Sequence, residues 1–324
     1  MKKVFVTGGA GYIGSICTEY LLNHGYEVTV FDGLFTGHRK AVDPRANFIY
    51  GDLEDRDFLF KCLCEEQYDA VMHFAAFSLV GESMTNPGKY FKNNLGNAIN
   101  LADAAIKGGV KRFVFSSTAA TFGNPTEVPI CETTPQNPIN PYGESKLCFE
   151  KALRWYSDVH GLKYAALRYF NAAGASEKFG EDHNPESHLI PILLQVAAGK
   201  RDHAMLFGDD YDTPDGTCIR DYIHVLDLAQ AHEKALYAPE SGHYNLGTGS
   251  GYSVKQILDA ARKVTGHPIP AQVVPRRPGD PPTLIACSDK ARSVLGWKPQ
   301  FEDPELIIES AWKWRLAHPN GYED

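Results

Sequence analysis

Val4-Phe5-Val6-Thr7-Gly8-Gly9-Ala10-Gly11-Tyr12-Ile13-Gly14 opens the chain with an apolar strand, a glycine-rich turn and the start of an amphipathic helix running from Tyr12 to His24. Glycines at 8, 11 and 14 stand where a backbone must come close to a ligand and a helix must pack tightly on a strand. The helix start behind them offers unpaired N–H groups and the positive end of the peptide dipoles, which suits a pyrophosphate. A second strand, Glu27 to Asp32, ends on a carboxylate at the distance a dinucleotide fold requires. Asp32 would accept hydrogen bonds from ribose hydroxyls and repel a 2′-phosphate, which favours NAD over NADP. Gly51-Asp52-Leu53 after the third strand fits either a contact to the adenine amino group or an ordinary turn or cap at Asp52.

Outward from this loop the first half alternates short apolar runs with helical patterns. Strands are expected at Asn47 to Tyr50, Ala70 to Phe74, Arg112 to Ser116 and Tyr164 to Tyr169, with helices around 55–66, 87–107 and 142–160. This rhythm predicts a Rossmann-type α/β fold, a doubly wound and mostly parallel sheet with helices on both faces. After about Asn171 the rhythm breaks into a stretch richer in Gly, Pro and Asp, with helices near 188–198, 253–265 and 304–317. The expected division is a dinucleotide domain of residues 1–171 plus about 217–250 and a smaller C-terminal α/β substrate domain of about 172–216 plus 251–324. Within the returning part, Ile223 to Leu236 reads as helix and Tyr244-Asn245-Leu246 as strand.

The 324 residues carry 32 basic and 40 acidic side chains, a net charge of -8, and the basic residues form no long run, which argues against nucleic acid or an anionic membrane as partner. Arg276-Arg277 remains a local spot for a small anion. Met-Lys-Lys leads directly into the first strand, and no apolar run approaches the roughly 18 residues that span a bilayer, so a cytoplasmic protein is expected. Seven scattered cysteines without a Cys-x-x-Cys pair suggest free thiols, and no metal is expected.

Tyr142-Gly143-Glu144-Ser145-Lys146 follows Pro141 and places a phenol and an ammonium four residues apart on one helix face. Bringing a phenol from its usual value near 10 to neutrality takes about 3 units, roughly 4 kcal/mol. One cation about 4 Å away at an effective dielectric near 20 supplies an interaction of about that size, while desolvation opposes it. An exposed i,i+4 pair is the ordinary alternative; the position downstream of a dinucleotide loop favours catalysis. Thr118 closes Phe115-Ser116-Ser117-Thr118 at a strand end and could share a substrate hydroxyl with Tyr142, or simply bond its own backbone.

Together with His73-Phe74-Ala75-Ala76, Asn93-Asn94, Arg168-Tyr169-Phe170-Asn171, Arg220-Asp221-Tyr222-Ile223-His224 and the segment at 276–280, these residues resemble the extended short-chain dehydrogenase/reductase family, most closely its sugar-nucleotide epimerases, over nearly the whole chain. The dehydratases of that family resemble Thr-Asp-Glu at 118–120, where this chain has Thr118-Ala119-Ala120, and methyl groups cannot move the protons of water elimination. The activity implied is reversible 4-epimerisation of UDP-glucose and UDP-galactose through a transient 4-keto sugar and enzyme-bound NADH. Another sugar nucleotide, such as an N-acetylhexosamine or a pentose, is the alternative, followed by a non-catalytic NAD sensor. The resemblance implies Tyr142, Lys146 and Thr118 as catalytic residues. It implies NAD contacts from Gly8, Gly11, Tyr12, Ile13, Gly14, Asp32, Asp52, Leu53, Phe74, Ala75, Ala76, Ser78, Asn94, Ser116, Tyr142, Lys146 and Tyr169. For the UDP-sugar it implies Ser78, Thr118, Tyr142, Asn171, His188, Leu189, Phe207, Arg220, Tyr222, Arg277, Asp280 and Leu284, with the guanidinium forks of Arg220 and Arg277 suited to a diphosphate. Ser78 stands where some members carry Lys, and His188 where Asn is found. Leu284 occupies a position whose bulk governs entry of N-acetylated sugars. A homodimer is also implied.

Overall fold

The computed structural model describes residues 2–277 and 280–323. In chain order its strands and α-helices are β1 (Lys3–Thr7), α1 (Tyr12–Asn23), β2 (Glu27–Asp32), β3 (Asn47–Tyr50), α2 (Arg56–Glu65), β4 (Ala70–His73), α3 (Val80–Thr85), α4 (Pro87–Tyr90), α5 (Ala98–Lys107), β5 (Arg112–Thr118), α6 (Pro141–His160), β6 (Lys163–Tyr169) and β7 (Asn171–Ala173). They continue with α7 (Leu189–Ala197), β8 (Ala204–Phe207), β9 (Ile219–His224), α8 (Val225–Ala235), β10 (Gly242–Leu246), β11 (Gly251–Ser253), α9 (Val254–Thr265), β12 (Ala271–Val274), β13 (Thr283–Leu284), α10 (Asp289–Val294) and α11 (Pro304–Ala317). A π-helical segment, Phe91–Asn97, joins α4 to α5.

The main sheet runs β10-β6-β5-β4-β1-β2-β3, every pairing parallel. This is the Rossmann-type doubly wound fold the sequence predicts, and the period of two along each strand shows why both faces are covered. Val4, Val6, Val28, Val30, Met72, Val114 and Leu167 point into one apolar cluster. The residues between them, Phe5, Phe31, Val71, Phe113, Phe115 and Ala166, point into the other. A third cluster gathers α7, α9 and α11 around Leu193, Ile257 and Ile308 beside two smaller sheets.

The segment expected to return to the main sheet divides in two. Instead of continuing a helix, Ile223 and His224 end strand β9, which pairs with β7, β11 and β13 in a smaller sheet. Only α8 and β10 rejoin the main sheet, α8 through Leu228, Ala231 and Ala235 in the cluster that holds Val4 and Leu21, and β10 as the edge strand beside β6. The return therefore begins at Val225, because Arg220 to His224 alternates in the manner of a strand before the helical period sets in.

Candidate active site

The C-terminal ends of β1, β2, β4, β5 and β6 open onto a cavity of about 670 Å³, the position where open α/β sheets hold ligands. Its first wall is the glycine loop. Gly8 has φ +76°, and a Cβ there would lie 2.4 Å from the backbone nitrogen of Ala75, so only glycine lets β1 turn against the end of β4. Gly11 caps α1 without a side-chain hydrogen bond, so the first amides of the helix are left to a ligand. Asp32 ends β2 with Oδ2 accepting from the Ala10 amide at 2.9 Å and Oδ1 from Leu34 at 2.8 Å. Burial raises its pKa, and those two bonds work in the opposite direction. Gly8, Gly11, Tyr12, Ile13, Gly14, Asp32, Asp52 and Leu53 all line this wall. Asp52 does so while its Oδ1 accepts from the Glu54 amide at 2.9 Å, so it also closes a turn; the cap of α2 is Asp55.

The second wall rises from β4, β5 and α6. Asn140 caps α6 by accepting from the Gly143 amide at 2.8 Å, and Pro141 pre-sets its first turn. A Cβ on Gly143 would stand 2.5 Å from the Ala120 carbonyl, so this glycine lets α6 lie against the turn after β5. That contact puts Tyr142 and Lys146 on the same cavity as Ser116, Thr118, Ala119 and Ala120. Thr118 Oγ1 accepts from the Ala120 amide at 3.1 Å, the backbone use weighed for it.

Lys146 donates to the Ser116 carbonyl at 2.9 Å and lies 4.9 Å from the centre of the Phe115 ring. Burial pushes its ammonium down to about 7, against the pull of Glu150. Burial also raises the Tyr142 phenol, and the Thr118 hydroxyl draws it back. Burial is thus the first cause at both groups, lowering the ammonium and raising the phenol. Behind them Glu150 and Arg168 form a buried pair, Oε2 to Nη2 at 2.6 Å and Oε1 to Nε at 2.9 Å, and Glu150 also accepts from Ser117. His73, driven down to about 3 by burial and by Lys146, stays neutral and bonds Thr7 Oγ1 at 2.7 Å.

Other expected residues divide between the wall and its support. Phe74, Ala75, Ala76, Ser78, Tyr169, Asn171, His188, Arg220 and Leu284 line the cavity. Asn94 lies off it: the π-helical segment turns the side chain inward, where it bonds both N–H and carbonyl of Phe77 at 2.9 Å and so fixes the chain leading to Ser78. Leu189 and Tyr222 pack in the third apolar cluster. Arg220 Nη2 bonds Asp280 Oδ1 at 2.8 Å, and the Arg277 guanidinium sits 3.9 Å from the centre of the Phe207 ring. Arg220 thus stands on the cavity wall tied to Asp280, while Arg277 lies over Phe207 outside that lining.

The segment between β7 and α7 supplies a further wall, of which the sequence pointed only to His188. Glu181, His183, Asn184, Pro185, Ser187 and His188 line it. Glu181, although opposed by burial, is held at about 2 by His188 and His183 beside it. The available signal was the spacing Glu181-x-His183-x-x-Glu186-x-His188, outside any periodic element.

Residues 4–247 match the NAD dependent epimerase/dehydratase family. The chain is similar to UDP-glucose 4-epimerase of Lacticaseibacillus casei, 55% identical over 327 residues with 99% of each chain covered. It is likewise similar to UDP-glucose 4-epimerase of Streptococcus mutans, 56% identical over 329 residues with 99% of each covered. In three dimensions it matches UDP-glucose 4-epimerase from Bifidobacterium longum in complex with NAD+ and UDP, with a TM-score of 0.93 at 39% identity over 99% of this chain and 100% of the other.

Proposed function

Because this chain belongs to the NAD dependent epimerase/dehydratase family, we infer that it interconverts UDP-glucose and UDP-galactose by inversion at C4, with NAD as its cofactor. The observation that carries the reading is that Thr118, Tyr142 and Lys146 share one cavity with the glycine loop and with Asp32, while the neighbouring Ala119 and Ala120 offer no second acid.

The residues present fit a dinucleotide. The uncapped start of α1 would hold the diphosphate, and Gly8 puts no Cβ in its way. Asp32, held by the Ala10 and Leu34 amides, has acceptor capacity left for ribose hydroxyls. The chemistry that NAD supplies when bound is reversible acceptance of the C4 hydride. Tyr142, as the phenolate, takes the proton of the sugar 4-hydroxyl as the C4 carbonyl forms, and returns it when the opposite configuration is made; the positive charges of Lys146 and of the bound oxidised cofactor would offset the burial that raises the phenol. Thr118 orients that hydroxyl, its oxygen fixed by the Ala120 amide. Lys146, anchored on the Ser116 carbonyl, brings a cation to the cavity that the phenol lines. Ala119, Ala120, Phe170 and Leu284 give part of the cavity a smooth lining on which a keto sugar can present either face, with Arg220 on the wall for the diphosphate.

The cofactor end belongs to the lobe of the main sheet and the sugar end to the lobe of the smaller sheets. We place the protein in the cytoplasm, in keeping with seven free thiols; no described helix is long and apolar enough to cross a membrane. A homodimer is supported by exposed Trp155 and Val159 on α6.

Incubating the purified protein with UDP-galactose, and resolving the products by chromatography, tests the reading. Formation of UDP-glucose supports it; no reaction even with NAD supplied removes it.

A further inference from the structure

Four side chains of the segment between β7 and α7 converge. Glu181, His183, Glu186 and His188 each present one ligand-type atom, and these atoms lie within 4.8 Å of one another. His188 Nδ1 stands 2.7 Å from Glu181 Oε1 and 3.3 Å from Glu186 Oε1. His183 Nδ1 stands 3.1 Å from Glu181 Oε1 and 3.8 Å from Glu186 Oε2. The ligand atoms of a tetrahedral ion with bonds of about 2.0–2.1 Å are about 3.3–3.4 Å apart, which falls within this spread.

A second observation points to a cation. The Glu186 side chain is 2% exposed. Its Oε1 is held by the amides of Ser187 and His188, both at 2.7 Å, while its buried Oε2 accepts no hydrogen bond. A carboxylate oxygen withdrawn from water and left bare is costly, and the backbone bonds pin this one toward His183. Arg315 is engaged elsewhere: it donates to the Glu181 backbone carbonyl and pairs with Asp182.

We propose that Glu181, His183, Glu186 and His188 bind one divalent transition-metal ion of the zinc class. Glu181 and Glu186 favour protons on His183 and His188, so the ion must displace those protons. The two carboxylates and two neutral imidazoles then carry a charge that a divalent cation cancels, and a mixed nitrogen and oxygen set selects zinc or cobalt over magnesium or calcium. The amides on Glu186 Oε1 are the outer contacts that orient a ligating carboxylate. Glu181, His183 and His188 also line the cavity, so the ion cross-links a stretch without regular structure and fixes the shape of that wall. The proposal rests on these four side chains and not on the reaction assigned above.

The test uses the untagged full chain, stripped with a chelator and titrated with Co2+ and, separately, with Zn2+ by calorimetry. Expected are the visible absorption of tetrahedral cobalt saturating at one equivalent, its displacement by Zn2+, and a rise in Tm with either ion. Glu186→Gln keeps an acceptor for the two amides yet removes the charge, and His183→Gln removes an imidazole. Each should weaken binding by more than the about 10–100-fold typical of losing an outer contact. Absence of the cobalt band, or binding of equal strength in the parent and both variants, would overturn the proposal and leave a hydrogen-bonded histidine and glutamate network. Because the readouts are spectroscopic and calorimetric, failure of the epimerase assay would not be mistaken for failure of this one.

Discussion

Replacing Lys146 by Met asks whether the site holds an ammonium against its own solvation. The residue is 3% exposed, and burial lowers its pKa from 10.5 to about 7. The difference, about 3.5 pH units at 1.36 kcal/mol each, amounts to about 5 kcal/mol. Its sign follows from proton counting. Between pH 7 and 10.5 the unfolded chain binds a proton that the folded chain has released, so stability rises with pH across that window and the full cost is carried below it. Met matches the aliphatic stem and never charges, but it leaves the Ser116 carbonyl without its donor, a loss of about 1–3 kcal/mol at every pH. The variant should therefore be more stable than the parent by about 2–4 kcal/mol at pH 6 and less stable by about 1–3 kcal/mol near pH 10.5. Urea midpoints of both proteins at intervals across that range measure this, and curves that keep a constant separation would refute the reasoning.

Three further changes probe the rest of the site. Tyr142→Phe should keep NAD and UDP binding while turnover falls by about 10²–10⁴; activity within a few-fold of the parent would deny the phenol its role. Asp32→Ala should weaken NAD or admit NADP, and an unchanged preference in cofactor titrations would count against the ribose contact. Glu150→Ala leaves Arg168 buried without its partner and should cost about 3–5 kcal/mol in chemical denaturation. Removing both charges with Glu150→Met and Arg168→Met should recover much of that loss; a double variant no better than the single one would show that packing rather than charge sets the cost.

What the sequence disclosed was whatever its own local period could encode. The alternation through Val4-Phe5-Val6 and Phe113-Val114-Phe115 names two apolar faces, hence a sheet covered on both sides. The i,i+4 spacing of Tyr142 and Lys146 puts them on one face of a helix whose start Pro141 marks. Pairings between distant residues carry no such trace. Arg220 finds Asp280 across 60 residues, and the inward turn of Asn94 depends on a π-helical segment that the apolar pattern of 87–107 does not distinguish from an α-helix. Short strands such as β7, β11 and β13 lack the length for a period to show. Apart from His188, the wall at 181–188 escaped because loops have no period, although its acidic and histidine residues recur at short intervals.

The return of the chain through α8 and β10 has a consequence for synthesis. While Lys163 to Tyr169 is new, β6 is an open edge, and the side of the sheet that will receive Leu228, Ala231 and Ala235 is bare. Shielding of that face waits for Ala235 and edge closure for Leu246, after β7, β8 and β9 have been made in an excursion to the smaller sheets. A nascent chain stalled inside the excursion therefore carries an unfinished sheet with an adhesive rim, and it is at that stage of translation, rather than at its end, that a chaperone has most to protect.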